Sequence, residues 1–228
     1  MNARETILSP TLEINERIAR RQAQGLPTTP LGFGEAGLPV LEEVAHQLSA
    51  GAGHADYGPV AGIAPLREAA AGYWNRRGVP TDPEMIIAGP GSKPLLYALL
   101  QAISAPIALP RPSWVSYAAQ AALTGCPAHM IATRPGQGGV PDPEQLDAAA
   151  ERAQATGAPL GAVILTLPDN PTGTLADPST VSEVCDVAER RDLLVISDEI
   201  YRDLVHDPKA PFLSPRSASG TGPWSQPG

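Results

Sequence analysis

Residues 162–174, Ala-Val-Ile-Leu-Thr-Leu-Pro-Asp-Asn-Pro-Thr-Gly-Thr, decide the fold of this chain. The run from Ala162 to Leu167 is almost wholly apolar, which is typical of a strand buried on both faces of a parallel sheet. It stops at Asn170-Pro171-Thr172-Gly173, a turn in which proline and glycine prevent the strand from continuing. We therefore expect a buried parallel strand that delivers an asparagine side chain to its carboxyl end.

A second apolar run lies one helix-length further along the chain. Residues Leu193 to Ile196 are followed by Ser197-Asp198-Glu199-Ile200-Tyr201. Residues 177–191 have the pattern of one crossover helix, so the two strands are predicted to be parallel neighbours. Open α/β sheets bind ligands at the carboxyl ends of their strands. One site is therefore expected to hold the amide of Asn170, the carboxylate of Asp198 and the phenol of Tyr201.

Further strands and helices alternate along the rest of the chain. Strands are predicted at residues 85–88, 106–109 and 127–133, and helices at residues 94–103 and 143–156. Alternation of this kind is typical of an α/β protein. The predicted fold class is a doubly wound, mostly parallel sheet.

A glycine-rich turn precedes the predicted helix at residues 94–103. Its sequence is Gly89-Pro90-Gly91-Ser92-Lys93. Such a turn exposes backbone N–H groups beside the positive end of a helix dipole, which favours phosphate binding. The spacing of its glycines and lysine differs from that of a Walker loop. Gly91, Ser92 and Lys93 are the candidate phosphate donors.

Together, from about residue 10 to residue 207, these motifs resemble the class I/II aminotransferases, pyridoxal-phosphate enzymes of fold type I. In that family an aspartate pairs with the protonated pyridine nitrogen, which makes the cofactor an electron sink. An asparagine and a tyrosine hydrogen-bond the 3-oxygen of the ring. The resemblance implies these roles for Asp198, Asn170 and Tyr201. It also implies an amino acid and a 2-oxo acid as substrates, and a homodimer.

Three other positions match family motifs. Trp114 lies in a Pro-x-Trp-x-x-Tyr segment, which implies that its indole stacks on the pyridine ring. Tyr57 begins a Tyr-x-x-x-x-Gly-x-x-x-Leu-Arg element, which implies a contact with the cofactor phosphate of the partner subunit. Gly34 is implied to lie near the substrate carboxylate, although its segment departs from the usual Gly-Glu-Pro-Asp-Phe form. The alternatives are a core tryptophan at position 114 and a surface phenol at position 57.

The lysine that forms a Schiff base with the cofactor lies, in the family, beyond the Asp-x-x-Tyr element in a Ser-x-x-Lys segment. This chain has two lysines, Lys93 and Lys209. Lys93 belongs to the phosphate end of the site, and Lys209 follows Tyr201 too closely. No catalytic residue is therefore assigned. The chain is predicted to be a truncated and inactive fragment of an aminotransferase.

Domain boundaries follow from the resemblance and from composition. We expect an N-terminal arm and small-domain segment at residues 1–40, an incomplete cofactor-binding large domain at 41–212, and a disordered Ser/Gly/Pro tail at 213–228. The family's sheet order is 3-2-4-5-6-7-1, of which this chain is expected to supply the first five strands. The strand predicted at residues 85–88 would then be separated from the others by a gap too wide for hydrogen bonds.

Charge and composition narrow the classes of partner. The formal net charge is −8 with no Lys/Arg cluster, which argues against nucleic acid and against anionic membranes. No apolar stretch is long enough to span a membrane and the first residues lack a signal-peptide core, so a cytoplasmic protein is expected. Cys126 and Cys185 have no metal-ligand spacing, which predicts free thiols and no metal site.

Two alternatives to amino transfer remain open from the sequence. The same site could catalyse β- or γ-elimination, as carbon-sulfur lyases of this fold do. The chain could also be a non-catalytic remnant that binds pyridoxal phosphate. A further expectation, implied by the resemblance, is a cis peptide bond between Asn170 and Pro171.

Overall fold

A computed structural model describes residues 10–29, 37–207 and 209–215 of the chain. Its contacts divide the chain into two compact units, Met1–Tyr57 and Gly58–Gly228. The first unit contains helices α1 (Pro10–Ala23) and α2 (Glu42–Gly51). No residue of α2 is buried. Tyr57, the last residue of this unit, has a fully exposed side chain.

The second unit alternates helices and strands as the sequence predicts. Its elements are α3 (Ala64–Asn75), α4 (Ser92–Ile103), β1 (Ile107–Arg111), α5 (Val115–Leu123), β2 (Ala128–Ala132), α6 (Pro143–Ala155), β3 (Ala162–Thr166), α7 (Pro178–Arg190) and β4 (Leu194–Asp198). Two short 3-10 turns occupy Pro83–Met85 and Arg202–Leu204. The four strands form one parallel sheet in the order β2-β1-β3-β4. The predicted α/β class with a parallel sheet is confirmed.

Helices cover both faces of β3, and its alternating side chains enter two separate cores. Val163 and Leu165 belong to the core formed with α6 and α7. Ala162 and Ile164 belong to the core formed with α4 and α5. Each fully buried aliphatic side chain contributes about 1.5–3 kcal/mol of hydrophobic stabilisation. This two-sided burial explains why the strand is apolar at nearly every position.

The register of β3 and β4 sets the position of the functional residues. Thr166 and Asp198, the last residues of the two strands, are direct partners in this parallel ladder. The backbone pairing continues one step further, because the N–H of Leu167 donates to the carbonyl of Asp198 at 2.9 Å. The residues after both strands therefore emerge side by side at one edge of the sheet.

The strand predicted at residues 85–88 is wrong. Its residues are extended but join no ladder: the N–H of Ala88 donates to the carbonyl of Ala61, and the carbonyl of Ile86 accepts from the guanidinium of Arg67. An apolar run forms a strand only where a neighbouring strand accepts its hydrogen bonds. Ile87 is 68% exposed, which shows that the segment also lacks a covering layer within the described residues.

The packed part of the second unit extends past residue 212. Phe212 and Leu213 lie against the core under α6 and α7. Ser214 is buried and donates a hydrogen bond to Glu199. Leu213 and Ser214, which lie in the predicted tail, therefore pack against the second unit.

The expected cis bond at Asn170–Pro171 is wrong. The cis peptide bonds within the described ranges are Arg111–Pro112 and Leu167–Pro168. The first bond follows the last residue of β1, and the second lies one residue beyond the end of β3. The asparagine turn begins after the second of them, and a trans bond at Pro171 carries the chain through it.

Helices in the described part of the chain are all too short or too polar to cross a membrane. Among the same residues, no group of three or more His, Cys, Asp and Glu side chains is arranged to hold a metal ion.

Candidate functional site

A cavity of about 490 Å³ opens at the carboxyl ends of β3 and β4. Four stretches of backbone border it: the first turn of α4, the start of α5, the loop after β3 and the loop after β4. Its lining residues are Pro90, Gly91, Ser92, Lys93, Pro94, Trp114, Tyr117, Thr166, Asn170, Asp198, Ile200 and Tyr201. This position agrees with the general rule for ligand sites in open α/β sheets.

The amino end of α4 forms one end of the cavity. Gly91 caps the helix with φ 104°, a backbone conformation that side chains with a Cβ rarely adopt. This turn lets the helix begin at Ser92 facing the cavity. The first N–H groups of a helix have no intrahelical acceptor, and the helix dipole makes this end positive. Lys93 adds a full positive charge, so this end of the cavity suits an anion.

Two aromatic rings form one wall. The rings of Trp114 and Tyr117 meet edge to face, with centroids 5.2 Å apart and an interplanar angle of 83°. Tyr117 belongs to the buried core, whereas Trp114 is half-buried at the cavity surface. The ammonium of Lys93 lies 5.1 Å from the centroid of the indole. The indole therefore presents a flat apolar surface close to the positive end of the cavity.

Asp198 supplies the negative charge of the site. One carboxylate oxygen, Oδ2, accepts a 2.8 Å hydrogen bond from the phenol of Tyr117. The other, Oδ1, accepts a 3.2 Å hydrogen bond from the N–H of Ile200. These two donors fix the orientation of the carboxylate. Each oxygen has a further lone pair, so the group can still accept a hydrogen bond from a ligand.

Tyr117 is held in the protonated form that donates to Asp198. Burial of the phenol is the main cause that raises its pKa, and the negative charge of Asp198 raises it further. A 3.0 Å hydrogen bond links its oxygen to the hydroxyl of Thr166. The three side chains therefore form one network across β3, β4 and α5.

Asp169 organises the turn that carries Asn170. Its carboxylate accepts from both the N–H and the hydroxyl of Thr172. Its backbone N–H donates to the carbonyl of Thr174, and its carbonyl accepts from the N–H of Gly173. A side chain that bonds the backbone of its own turn is typical of aspartate. The turn is closed on itself, which places Asn170 at the cavity.

Asn170 and Tyr201 bring uncharged polar groups to the lining. Within the described ranges neither side chain makes a hydrogen bond to another protein group. The amide of Asn170 can donate and accept, and the phenol of Tyr201 can do either. Both are thus available to a ligand oxygen.

Seven of the residues predicted from the sequence meet in this one cavity. They are Gly91, Ser92, Lys93, Trp114, Asn170, Asp198 and Tyr201. Gly34 lies outside the described residues. Tyr57 belongs to the first unit, and its role at a partner subunit stays a prediction. The carboxylate network also includes Tyr117 and Thr166, for which the sequence analysis assigns no role.

A signal for Tyr117 was present in the sequence. It is the tyrosine of the Pro-x-Trp-x-x-Tyr segment, in which Trp114 precedes α5 as its N-cap and Tyr117 lies in the first turn. A tyrosine in the first turn of a helix that packs on the sheet can reach the groups at a strand end. Thr166 had a similar signal, because it is a hydroxyl residue inside an otherwise apolar run.

Comparison with known proteins assigns the chain to a family. Residues 29–221 match the family model described as aminotransferase class I and II. The aspartate/prephenate aminotransferase of Thermus thermophilus is 31% identical over 205 residues, which cover 87% of this chain and 52% of that protein. The aspartate aminotransferase of Bacillus subtilis is 31% identical over 209 residues, covering 88% of this chain and 51% of the relative.

The fold agrees with the sequence match. The structure of aspartate aminotransferase from Thermus thermophilus with maleate has a TM-score of 0.82 and 30% identity, covering 96% of this chain and 58% of that one. This chain spans about half the length of the curated relatives that it matches. The family model, however, covers most of its residues. The chain therefore belongs to the class I and II aminotransferases.

Proposed function

We propose that the cavity binds pyridoxal 5'-phosphate, and that a protein containing this chain transfers an amino group between an amino acid and a 2-oxo acid. The observation that carries the proposal is Asp198, a carboxylate at the end of β4 that faces the cavity and is oriented by two hydrogen bonds. A carboxylate in this setting stabilises a proton on a nearby ring nitrogen.

The residues present fit this cofactor. It is a flat, partly cationic ring with a phosphate on one side, and the cavity has a positive end, a flat indole and a carboxylate. Its volume of about 490 Å³ lies within the usual range for small-molecule sites. The donor set also fits, because the phosphate needs N–H groups and a cation while the ring nitrogen needs an anion.

Each residue of the chain would act on a different part of the cofactor. The first turn of α4 and Lys93 would bind the phosphate. Trp114 would stack on the ring and fix its plane. Asp198 would keep the proton on the ring nitrogen, while Asn170 and Tyr201 would hydrogen-bond the 3-oxygen. When bound, the cofactor supplies an electron sink for chemistry at the α-carbon of an amino acid.

The substrates and the assembly are part of the same proposal. Relatives named as aspartate and prephenate aminotransferases favour an acidic amino acid as amino donor. We propose a homodimer in which Tyr57 reaches the cofactor phosphate of the partner subunit. A site for the substrate carboxylate near Gly34, and a cytoplasmic location, complete the proposal.

Fluorescence titration of the 228-residue chain with pyridoxal 5'-phosphate tests the binding. The chain has three tryptophans, and of the two in the described ranges Trp114 lies on the cavity wall whereas Trp74 does not line it. We expect saturable quenching together with an induced circular dichroism band. The matched variant Trp114→Phe should lose most of the quenching, whereas Trp74→Phe should keep it. Absence of saturable binding at about 1 mM ligand, an affinity of roughly −4 kcal/mol, would refute the proposal for this chain.

A further inference from the structure

A second charged cluster lies beside Asp198, around the carboxylate of Glu199. The side chain of Glu199 is only 4% exposed. One of its oxygens, Oε2, forms a 2.7 Å ion pair with the guanidinium of Arg202. The other, Oε1, accepts hydrogen bonds from Ser197 at 3.0 Å and from Ser214 at 2.7 Å. Both oxygens of the carboxylate are thus bound by protein groups.

Arg202 is also largely enclosed. Its side chain is 11% exposed, and its second terminal nitrogen donates to the carbonyl of Arg77 at 3.2 Å. The guanidinium lies 4.4 Å from the centroid of the Phe212 ring and 5.6 Å from that of Trp74. Aromatic faces attract a cation and exclude water from it. The cluster joins the end of β4 to the end of α3 and to residues 212–214.

The cluster and the cavity share one short stretch of backbone. Ser197 and Glu199 bond each other, so both point to one side of β4, while Asp198 between them lines the cavity. Alternation of side chains along a strand has this effect. Tyr201, the neighbour of Arg202, also lines the cavity. Fixing Glu199 and Arg202 therefore fixes the backbone that carries the two cavity residues.

The geometry of a buried ion pair depends strongly on the presence of both partners. Removing one partner leaves a charge without water or counterion, whereas the intact pair is held in one geometry by its hydrogen bonds. Nothing in the cavity contacts Glu199, which is not among the lining residues. Its effect on a ligand must therefore pass through the backbone of residues 198–201.

We infer that Glu199, held by Arg202, Ser197 and Ser214, is a positioning residue for the cofactor site, and that residues 212–214 are needed to complete it. The inference rests on the proposed function, since it concerns how Asp198 and Tyr201 meet the ring. The cluster sets the place and direction of the Asp198 carboxylate from the opposite side of β4.

The test compares Glu199→Gln and Ser214→Ala with the unchanged chain. Glutamine keeps the shape and removes the charge, and alanine removes one hydrogen bond. Glu183→Gln, on the exposed ion pair with Arg134, is the matched control. Affinity for pyridoxal 5'-phosphate should fall at least about tenfold with Glu199→Gln, about threefold with Ser214→Ala, and stay unchanged in the control.

A double-mutant cycle separates positioning from loss of fold. In an Asp198→Asn background, Glu199→Gln should weaken affinity by less than about threefold, because the charge that it orients is gone and only the placement of Tyr201 still depends on it. An equal loss in both backgrounds would overturn the inference, as would unchanged affinity in a folded Glu199→Gln protein. If Glu199→Gln does not fold, Ser214→Ala replaces it in the same double-mutant cycle.

Amide hydrogen exchange tests the positioning role in the protein without cofactor. The amide of Ile200 donates to Asp198, so its exchange reports how firmly that carboxylate is held. We expect exchange of this amide to accelerate at least about tenfold in Glu199→Gln. If the unchanged chain fails to bind pyridoxal 5'-phosphate, the proposed function has failed, and unaltered exchange at Ile200 would separately refute the positioning role.

Discussion

Tyr117 and Asp198 are 81 residues apart in the sequence, yet the phenol of Tyr117 donates a 2.8 Å hydrogen bond to the carboxylate of Asp198. The contact joins the first turns of α5 to the end of β4. It lies at the boundary between core and cavity, because Tyr117 is 1% exposed and both residues line the cavity. The core of the fold thereby supplies a fixed donor to the charged group of the site.

Tyr117→Phe should weaken cofactor binding without destroying the fold. The substitution keeps the ring in the core and removes the hydroxyl, leaving one oxygen of Asp198 without its donor. A hydrogen bond to a charged group contributes about 1.5–3 kcal/mol, so we expect the affinity for pyridoxal 5'-phosphate to fall at least about tenfold in titrations. Tyr97→Phe on α4 is the matched control. Equal affinities of Tyr117→Phe and the unchanged chain would contradict the role given to this contact.

The same phenol should make the fold sensitive to alkaline pH. Burial raises the pKa of Tyr117 in the folded state, so the folded state holds this proton more tightly than the unfolded one. The resulting stability is present below the unfolded pKa of about 10 and is lost as pH rises above it. Thermal unfolding at pH 8 and at about pH 11 should therefore show a smaller alkaline loss in Tyr117→Phe than in the unchanged chain. Identical losses of thermal stability in the two proteins would show that ionisation of Tyr117 does not destabilise the fold.

Most of the sheet could be predicted because its strands are short apolar runs that alternate with helical segments. The run beginning at Ala162 is apolar because β3 is buried along its whole length, whereas β4, at one side of the described sheet, is only half-buried. The polar residues that follow both runs mark the ends of the strands, where open α/β sheets bind ligands. The same rule gave a wrong strand at residues 85–88. The expected gap beside this segment leaves it without a neighbouring strand to accept its hydrogen bonds, and among the described residues it forms no strand.

Long-range contacts are what the sequence could not supply. Glu199 reads as one more charged residue after a strand, although the structure buries it against Ser214. The roles of Tyr117 and Thr166 also depend on the register that sets Thr166 opposite Asp198. Side chains close in the sequence could be assigned from motifs, whereas groups that meet only through the packing of separate elements could not.

Asp198→Asn should cause the largest loss of affinity among the cavity variants. Asparagine has nearly the same shape but carries no charge, so it cannot stabilise a protonated ring nitrogen. We expect binding of pyridoxal 5'-phosphate to weaken by about tenfold to a hundredfold in fluorescence titrations. Asp186→Asn, an exposed position on α7, is the control and should bind as the unchanged chain does. A loss below about twofold would remove the ionic pairing from the proposal.

Lys93→Met should act on the phosphate rather than on the ring. Methionine keeps an apolar chain near the indole of Trp114 but removes the positive charge at the amino end of α4. Affinity for pyridoxal 5'-phosphate should fall about tenfold, whereas affinity for unphosphorylated pyridoxal should change by less than about twofold. Lys209→Met, at an exposed lysine, is the control for loss of charge. Equal losses for the two ligands would place Lys93 at the ring instead.

The lysines of the chain should not become covalently attached to the cofactor. Lys93 lies beside Trp114 at the positive end of the cavity, where we propose that the phosphate binds, and Lys209 is exposed in a turn where its N–H donates to Asp207. Lys93 is thus assigned to the phosphate, and Lys209 is not among the residues that line the cavity. Borohydride reduction of the chain with pyridoxal 5'-phosphate, followed by peptide mapping, should give no stoichiometric labelling of either lysine.

Amino transfer from aspartate to 2-oxoglutarate by the 228-residue chain should equal that of the cofactor alone. Stoichiometric labelling of one lysine together with turnover would show that a lysine reaches the ring from a position that the described geometry does not provide.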